Sequence, residues 1–440
     1  MRYVSFLLCF VFTGLQLSAQ KYRLEVQLKS NPQHKFPAIQ SYVFAQSGNK
    51  VLVLGGRTDG LHRRQPFASF DPEGNNTLIR VLDLSTWKIH SRSVNELDAP
   101  LAEQLQSSNM QFAQSKQWLY VTGGYGYSKR VDAHVTFPYL TVIDVPELIQ
   151  RISTGSGEIR SCFRQIRDDR VAVTGGRMKW LENQQLFLVG GQRFDGSYNP
   201  MGPNHGPGFE QVYTNAVRSF GVQFQGDSLV LTQYREWVDT SLFHRRDYNL
   251  LTYSDASGRN GLTICSGVFR TDADLPYTNL TDVYSDHYQL VPHFNQEYNH
   301  YHTASLSVFD TVSKSNYFLF FGGIARSYMK SGKKITDNDV PFVKHISLIT
   351  RHSDGHTEEQ LLPVSMPDFL GAAAEVIPAP DASYSAFEQL LLKPDGVWKR
   401  AGYLIGGINS KRANVFWDHE GDLSHASSVV LEVWIRIIPD

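Results

Sequence analysis

Cysteine is scarce in this chain: three residues in 440, at Cys9, Cys162 and Cys265. A fold with so few is held by its core and not by a disulfide framework. An excess of charge of either sign is missing too, since Lys+Arg 42 against Asp+Glu 43 leaves a net −1. That balance excludes a nucleic-acid binder relying on bulk positive charge, and an acidic disordered solubiliser. Charged residues reach only 19%, which argues against charged helical bundles and coiled coils. No segment of the mature chain is apolar over the ~20 residues that a membrane helix needs, so no membrane insertion is expected. The sequence also has no Gly-rich phosphate loop, no Cys-x-x-Cys pair, no Gly-x-Ser-x-Gly elbow and no His-Glu-x-x-His helix. No cofactor is expected.

What the chain does have is aromatic residues, at 12% (Phe 26, Tyr 21, Trp 7). Aromatic and β-branched side chains suit a pleated surface, so the composition is β-leaning.

The first residues, MRYVSFLLCFVFTGLQLSAQ, open with Arg2, run apolar from Val4 to Leu15 and close on the small residues Ser18 and Ala19. A charged start, a short apolar middle and a small-residue exit describe a secretory signal peptide over residues 1–19. Residues 20–440 then form the exported chain, periplasmic or secreted, and Cys9 leaves with the leader. Cys162 and Cys265 could pair, but read more simply as free and buried.

Apolar runs ending in Gly-Gly recur along the chain. They reach Gly55-Gly56, Gly123-Gly124, Gly190-Gly191, Gly322-Gly323 and Gly406-Gly407, with Ser266-Gly267 standing in between the third and fourth. The first positions are separated by 68, 67, 76, 56 and 84 residues. A strand-like run precedes each pair, and Phe44-Ala45-Gln46-Ser47 matches Phe112-Ala113-Gln114-Ser115 residue for residue. Downstream comes a third run, such as LIRVLDLSTW with Asp83 and Trp87, and often a fourth. Four short strands per unit make a blade that must stack on neighbours, and a ring closes the stack. Gly175-Gly176 lies too close to Gly190 for its own blade, so VAVTGGR is expected to be the first strand of blade three. The long last step leaves room for a seventh blade. Tyr22–Leu28 alternates like a strand, and the chain ends on VVLEVWIRI with nothing left for a fourth strand. The N-terminal strand is therefore expected to complete the last blade, removing a bare edge.

Apolar strand, Gly-Gly, variable loop, then an apolar strand with Asp and a later Trp resembles the kelch repeat. The resemblance covers nearly the whole mature chain, and the full pattern is clear in the first unit. It implies an all-β, six-bladed kelch-type β-propeller, with seven blades as the alternative.

In such a propeller the post-Gly-Gly loops share one face with the loops entering each blade, around the central channel. These loops are long, and length beyond a simple turn is often functional. Each carries an Arg: Arg57, Arg130, Arg193, Arg270, Arg326 and Arg412. His62, His134, His205, Tyr125 and Tyr198 lie in the same loops. Guanidinium groups suit carboxylate or phosphate and aromatic faces suit sugar rings. Nearby aspartates, among them Asp59, Asp195 and Asp272, offer the alternative of ion pairing. His300 and His302, two apart in PHFNQEYNHYH, would share one face of a strand, but they read as structural and no metal is expected.

Two functional classes remain. One is a monomeric binding module for a glycan, an acidic small molecule or a protein partner. The other is an enzyme, since the chain resembles in outline the periplasmic kelch propellers that act as sialic-acid mutarotases. That chemistry needs acid–base groups near an Arg, with Glu210, Glu236 and Glu297 as candidates.

Overall fold

The computed structural model describes residues 22–63, 69–181, 185–198, 208–416 and 421–439, and residues 205–206 by backbone alone. The expected leader lies outside the described residues. Among those described, no helix is long and apolar enough to cross a membrane.

Six antiparallel sheets form the blades of a β-propeller. Blade one is Val43–Ser47, Lys50–Leu54, Leu78–Asp83 and Ile89–Ser93. Blade two is Ser108–Ser115, Trp118–Ser128, Tyr139–Asp144 and Phe163–Arg167. Blade three is Arg177–Leu181, Gln185–Val189, Ala216–Gln225 and Ser228–Val238. Blade four is Asn249–Ser254, Asn260–Cys265, Thr281–Val283 and Tyr288–Leu290. Blade five is Ala304–Asp310, Asn316–Phe321, His345–Arg351 and Thr357–Ser365. Blade six is Ala374–Pro378, Lys399–Gly406, Val430–Pro439 and, from the other end of the chain, Tyr22–Ser30. That last strand pairs antiparallel from Tyr22 opposite Pro439 to Ser30 opposite Leu431, so the expected latch is present.

Stacking follows from blades that are apolar on both faces. Each of the six interblade seams holds its own buried cluster. Val43, Leu52 and Val81 meet Leu119, Val121 and Ile143 between blades one and two. Phe187 and Val189 meet Tyr248, Leu250 and Ile264 between three and four. Val51 and Val53 meet Ile377 and Ile405 where blade one closes onto six.

The all-β, six-bladed expectation holds, and one expectation within it is corrected. Val171–Arg177 is not the first strand of blade three, which starts only at Arg177. Asp168 caps a short 3₁₀ turn over Asp169–Val171, and Gly175 then takes φ +65, a left-handed turn that a strand cannot contain. No seventh blade occurs among the described residues. The surplus before Gly406 leaves blade six after its first strand, and its Leu390–Leu392 pairs in parallel with Val308–Asp310, the innermost strand of blade five. The fold also admits helices. The longest, Val145–Thr154, is capped by Asp144, whose carboxylate accepts from Glu147 N at 3.2 Å, and it buries Leu148, Ile149 and Ile152. Cys162 and Cys265 are both buried and free; burial pushes the Cys162 thiol up to about 11.

His300 lies fully buried, packed against Phe320 and His345, with Nδ1 at 2.5 Å from the Gly322 carbonyl oxygen. Burial holds it neutral, lowering its pKa to about 4. A histidine with a depressed folded pKa contributes stability above its unfolded value, near 6.5, and loses it as pH falls toward 4. The shift corresponds to roughly 3 kcal/mol at most. Urea midpoints should therefore drop between pH 7 and pH 4.5, and His300→Gln should flatten that drop. An equal drop in the variant would assign the acid sensitivity elsewhere.

Candidate functional site at the channel mouth

The five Gly-Gly pairs and Ser266-Gly267 all take positive φ, from 50 to 71 at the first residue and 79 to 99 at the second. The reason is close approach: a Cβ on Gly123 would lie 1.8 Å from the Val173 carbonyl oxygen. This kink turns the chain inward, so that the next residue of every blade lines one cavity: Arg57, Tyr125, Gln192, Val268, Ile324 and Ile408.

Opposite these six stand six residue pairs at the entry to each blade. They are Gln40-Ser41, Ser108-Asn109, Thr174-Gly175, Arg246-Asp247, Tyr301-His302 and Ala372-Ala373, and all line the same cavity. The first of each pair meets the residue after its blade's Gly-Gly, as Gln40 meets Arg57, Thr174 meets Gln192 and Arg246 meets Val268. The second always has positive φ: Ser41 53, Asn109 54, Gly175 65, Asp247 53, His302 41 and Ala373 54. Non-glycine residues held there cost of order 1–2 kcal/mol each. A ring of them persists because neighbouring backbones over-determine it. Ser41 N donates to Ala373 O at 3.0 Å, Ala373 N to His302 O at 2.7 Å and Asp247 N to Gly175 O at 2.8 Å.

This ring is the floor of a cavity of about 210 Å³. The two walls differ in chemistry. On the side of blades one to three, Phe70, Tyr125, Phe194, Tyr198 and Phe209 form one aromatic cluster. On the side of blades five and six, Ile324, Phe342, Ala372, Ile408 and Val415 form an apolar one. Arg246 supplies the charge on the floor. Its Nε donates to the Tyr213 hydroxyl at 3.1 Å and its Nη1 to Asp247 Oδ2 at 2.7 Å, with Phe269 beneath the guanidinium at 5.3 Å. Among the described residues Nη2 has no hydrogen-bond partner. The other carboxylate oxygen of Asp247 lies 3.8 Å from His302 Nδ1. Burial, reinforced by Arg177, lowers the His302 pKa to about 3, so the ring is a neutral imidazole.

Of the residues expected from sequence, Arg57, His62, Tyr125 and Tyr198 line the cavity. His62 stacks on Phe70 at 5.1 Å and meets Tyr198 edge-on at 4.7 Å. Tyr125 donates its hydroxyl to Gly196 O at 2.6 Å, fixing the wall across two blades. His134 stands behind it, its Nε2 3.0 Å from Phe70 O. The side chain of His205 lies outside the described residues.

The other arginines stand away from the cavity lining. Arg130 binds Glu103 at 3.0 Å and the Tyr139 hydroxyl at 2.8 Å. Arg193 binds Asp195 at 2.7 Å, and Arg270 binds Asp272 with its Nε at 2.8 Å. Arg326 binds Asn338 at 2.9 Å, while Arg412 is exposed. Arg57 itself is buried, bound to Asp59 at 2.8 Å and Asn75 at 2.9 Å. The ion pairing is thus mostly within each loop, in a repeated Arg-x-Asp, and not between blades. The acid–base candidates also lie elsewhere: Glu236 binds Arg218 at 2.7 Å and Glu297 binds Lys334, while Glu210 sits on an outer hairpin. His300 and His302 do not share a face, because the left-handed turn at His302 sends it to the channel neck. No group of three or more His, Cys, Asp or Glu suited to a metal occurs among the described residues.

Sequence reasoning missed Arg246 and Asp247, and it read His302 as structural. It placed the entering loops on this face but looked for ligand-binding arginines in the loops after Gly-Gly.

No family model matches the sequence, and no curated protein matches it. Among solved structures, that of YjhT aligns over 93% of this chain and 99% of its own, at 11% identity and a TM-score of 0.47.

Proposed function

We propose that this chain is an exported kelch-type β-propeller that binds a small acidic sugar in the mouth of its channel. The observation that carries this reading is Arg246, which lines the cavity and is held by Tyr213 and Asp247 while its Nη2 has no hydrogen-bond partner among the described residues. A guanidinium fixed on two sides is preorganised for a carboxylate, and the rings of Tyr125, Tyr198 and His62 offer faces to a sugar. A cavity of about 210 Å³ suits one monosaccharide better than an oligosaccharide or a protein segment. The leader, read from residues 1–19, supports export; sequencing the mature N-terminus tests it, with Gln20 expected first.

A second reading, sugar mutarotation, is favoured by the Asp247–His302 pair beside Arg246. A neutral imidazole next to a carboxylate can exchange a proton with a ring hydroxyl.

Calorimetric titration with acidic and neutral monosaccharides tests the first reading. Acidic sugars should bind and neutral ones should not, and Arg246→Gln should weaken acid binding about 10- to 100-fold, the value of one charge-assisted hydrogen bond. Equal binding of both sugar types would reject it. Anomer exchange of sialic acid followed by NMR tests the second: saturable binding without faster exchange would leave a binding protein.

A further inference from the structure

A second cavity, of about 340 Å³, lies at the other end of the channel between the innermost strands of the blades. A neck of about 10 Å³ separates it from the mouth cavity. Residues 384–392, in the excursion that leaves blade six after its first strand, cross its outer side. The Tyr384 hydroxyl donates to Ala401 O of blade six at 3.1 Å. Gln389 accepts from Ser254 of blade four at 2.8 Å and donates to Asn316 of blade five at 3.0 Å. Glu388 pairs with Lys179 of blade three. The strap therefore spans from blade six to the blade opposite it in the ring, and shelters the cavity from bulk water.

At the neck end stands an ion pair between blades three and six. Arg177 Nη1 donates to Glu375 Oε1 at 3.0 Å, and both residues line the cavity and the neck. Arg177 Nε and Nη2 and Glu375 Oε2 have no hydrogen-bond partner among the described residues. The two side chains keep 21% and 19% of their exposure although they sit on innermost strands. Gln111 Oε1 in the same wall is sealed from water, whereas these three atoms are not. Nε and Nη2 form one edge of a guanidinium, the edge that takes a carboxylate bidentately. The carboxylate oxygen of Glu375 beside it calls for a cation, so a simple anion would leave half of the pair unanswered. Phe44 and Phe112, edge to face at 5.4 Å, supply an apolar wall to the same cavity.

From this geometry we infer a second ligand site, for a small zwitterion with an apolar side chain: an α-amino acid. Its carboxylate lies on the free edge of Arg177, its ammonium donates to Glu375 Oε2, and its side chain meets the two phenylalanines. The inference does not depend on what the mouth cavity binds.

The test is calorimetric titration of the full mature chain with L-phenylalanine, with 3-phenylpropanoate, which lacks the ammonium, and with phenethylamine, which lacks the carboxylate. L-phenylalanine should bind at least about tenfold more tightly than either analogue, the value of one charge-assisted hydrogen bond. Glu375→Gln should bring it down to the level of phenylpropanoate without weakening phenylpropanoate itself. Arg246→Gln, in the other cavity, should leave phenylalanine within about twofold. Because Glu375→Gln also takes the partner from Arg177, its melting point is measured alongside, and Ser305→Leu serves as the second variant. Ser305 lines the cavity on blade five and has no hydrogen-bond partner among the described residues. A leucine there fills space away from the ion pair and should weaken phenylalanine at least about tenfold. Binding that survives both Glu375→Gln and Ser305→Leu, or that falls only in Arg246→Gln, would overturn the assignment. So would a failure of L-phenylalanine to bind the unmutated protein. Sugar-acid titrations read the mouth separately, and saturating glucuronate should leave phenylalanine binding unchanged.

Discussion

A chain that starts after Ser30 should melt about 10 °C lower than the mature protein and self-associate. Residues Tyr22–Ser30 supply the outermost strand of blade six, nine residues paired along Val430–Pro439. Leu24 and Val26 are buried in the seam with blade five, beside Leu306, Leu319 and Leu348. Burying two such side chains stabilises by about 1.5–3 kcal/mol each, so roughly 5 kcal/mol is lost with them. Arg436 also loses Glu25, to which it donates at 2.8 Å, and Trp434 loses the Lys29 ammonium that sits 4.2 Å from its ring. Removal leaves the strand Val430–Pro439 with an unpaired edge, a template for pairing with another chain. Calorimetry and size-exclusion chromatography read the two consequences together. Val26→Asp offers a milder version, placing an unpaired carboxylate in the seam without shortening the chain. A melting point unmoved by either change would mean that the ring is closed by blade six without its fourth strand.

This closure was legible because it depends on counting. The Gly-Gly pairs mark one strand per blade, and the strand left over at the N-terminus fits the vacancy at the C-terminus. The seams were legible too, as runs such as VLVL and LFLV that are apolar on both faces. The floor of the cavity was not, because its repeat lies in the backbone and not in the side chains. Ser41, Asn109, Gly175, Asp247, His302 and Ala373 share a left-handed conformation, and no residue type is common to them. Four of the six (Asn109, Gly175, Asp247 and His302) are types enriched at positive φ, which is a weak signal even when read with the blade period. Two of the five residues of the aromatic wall, Tyr125 and Tyr198, were visible in long loops. The arginines misled because Arg-x-Asp recurs at 57, 193 and 270, and in each the carboxylate two residues on takes the guanidinium. Blade three's entry was misread because VAVT resembles a strand, although Gly175 turns it into a corner. The helix Val145–Thr154 had a readable start in Asp144-Val145-Pro146-Glu147, a capping residue followed by proline and an acid in the first turn.

Arg351→Met should destabilise the protein by about 3–5 kcal/mol, far more than the loss of any exposed loop arginine. Its guanidinium reaches from the third strand of blade five into blade four. Nη1 donates to Asp282 Oδ1 and Nη2 to Asp282 Oδ2, both at 2.9 Å, and Nη1 also meets Thr263 Oγ1 at 3.0 Å. Tyr253 lies 4.4 Å from the guanidinium carbon, closing the remaining side. Asp282 is completely buried, with Thr263 Oγ1 donating to it at 2.5 Å. Without Arg351 that carboxylate is a charge in a seam of apolar residues. Although burial opposes its charge, Asp282 holds the Arg351 pKa above the usual guanidinium value. The double variant Arg351→Met with Asp282→Leu should recover most of the loss, because an apolar pair of similar size leaves no buried charge and strands only the neutral Thr263 hydroxyl. By contrast Arg193→Ala, whose pair with Asp195 is nearly half exposed, should change stability by no more than about 0.5 kcal/mol. Urea denaturation of the four proteins decides between a buried charge that must be paired and a bridge that merely decorates the seam. If the double variant is as unstable as Arg351→Met alone, the cost lies in lost packing against Tyr253 and not in the stranded carboxylate.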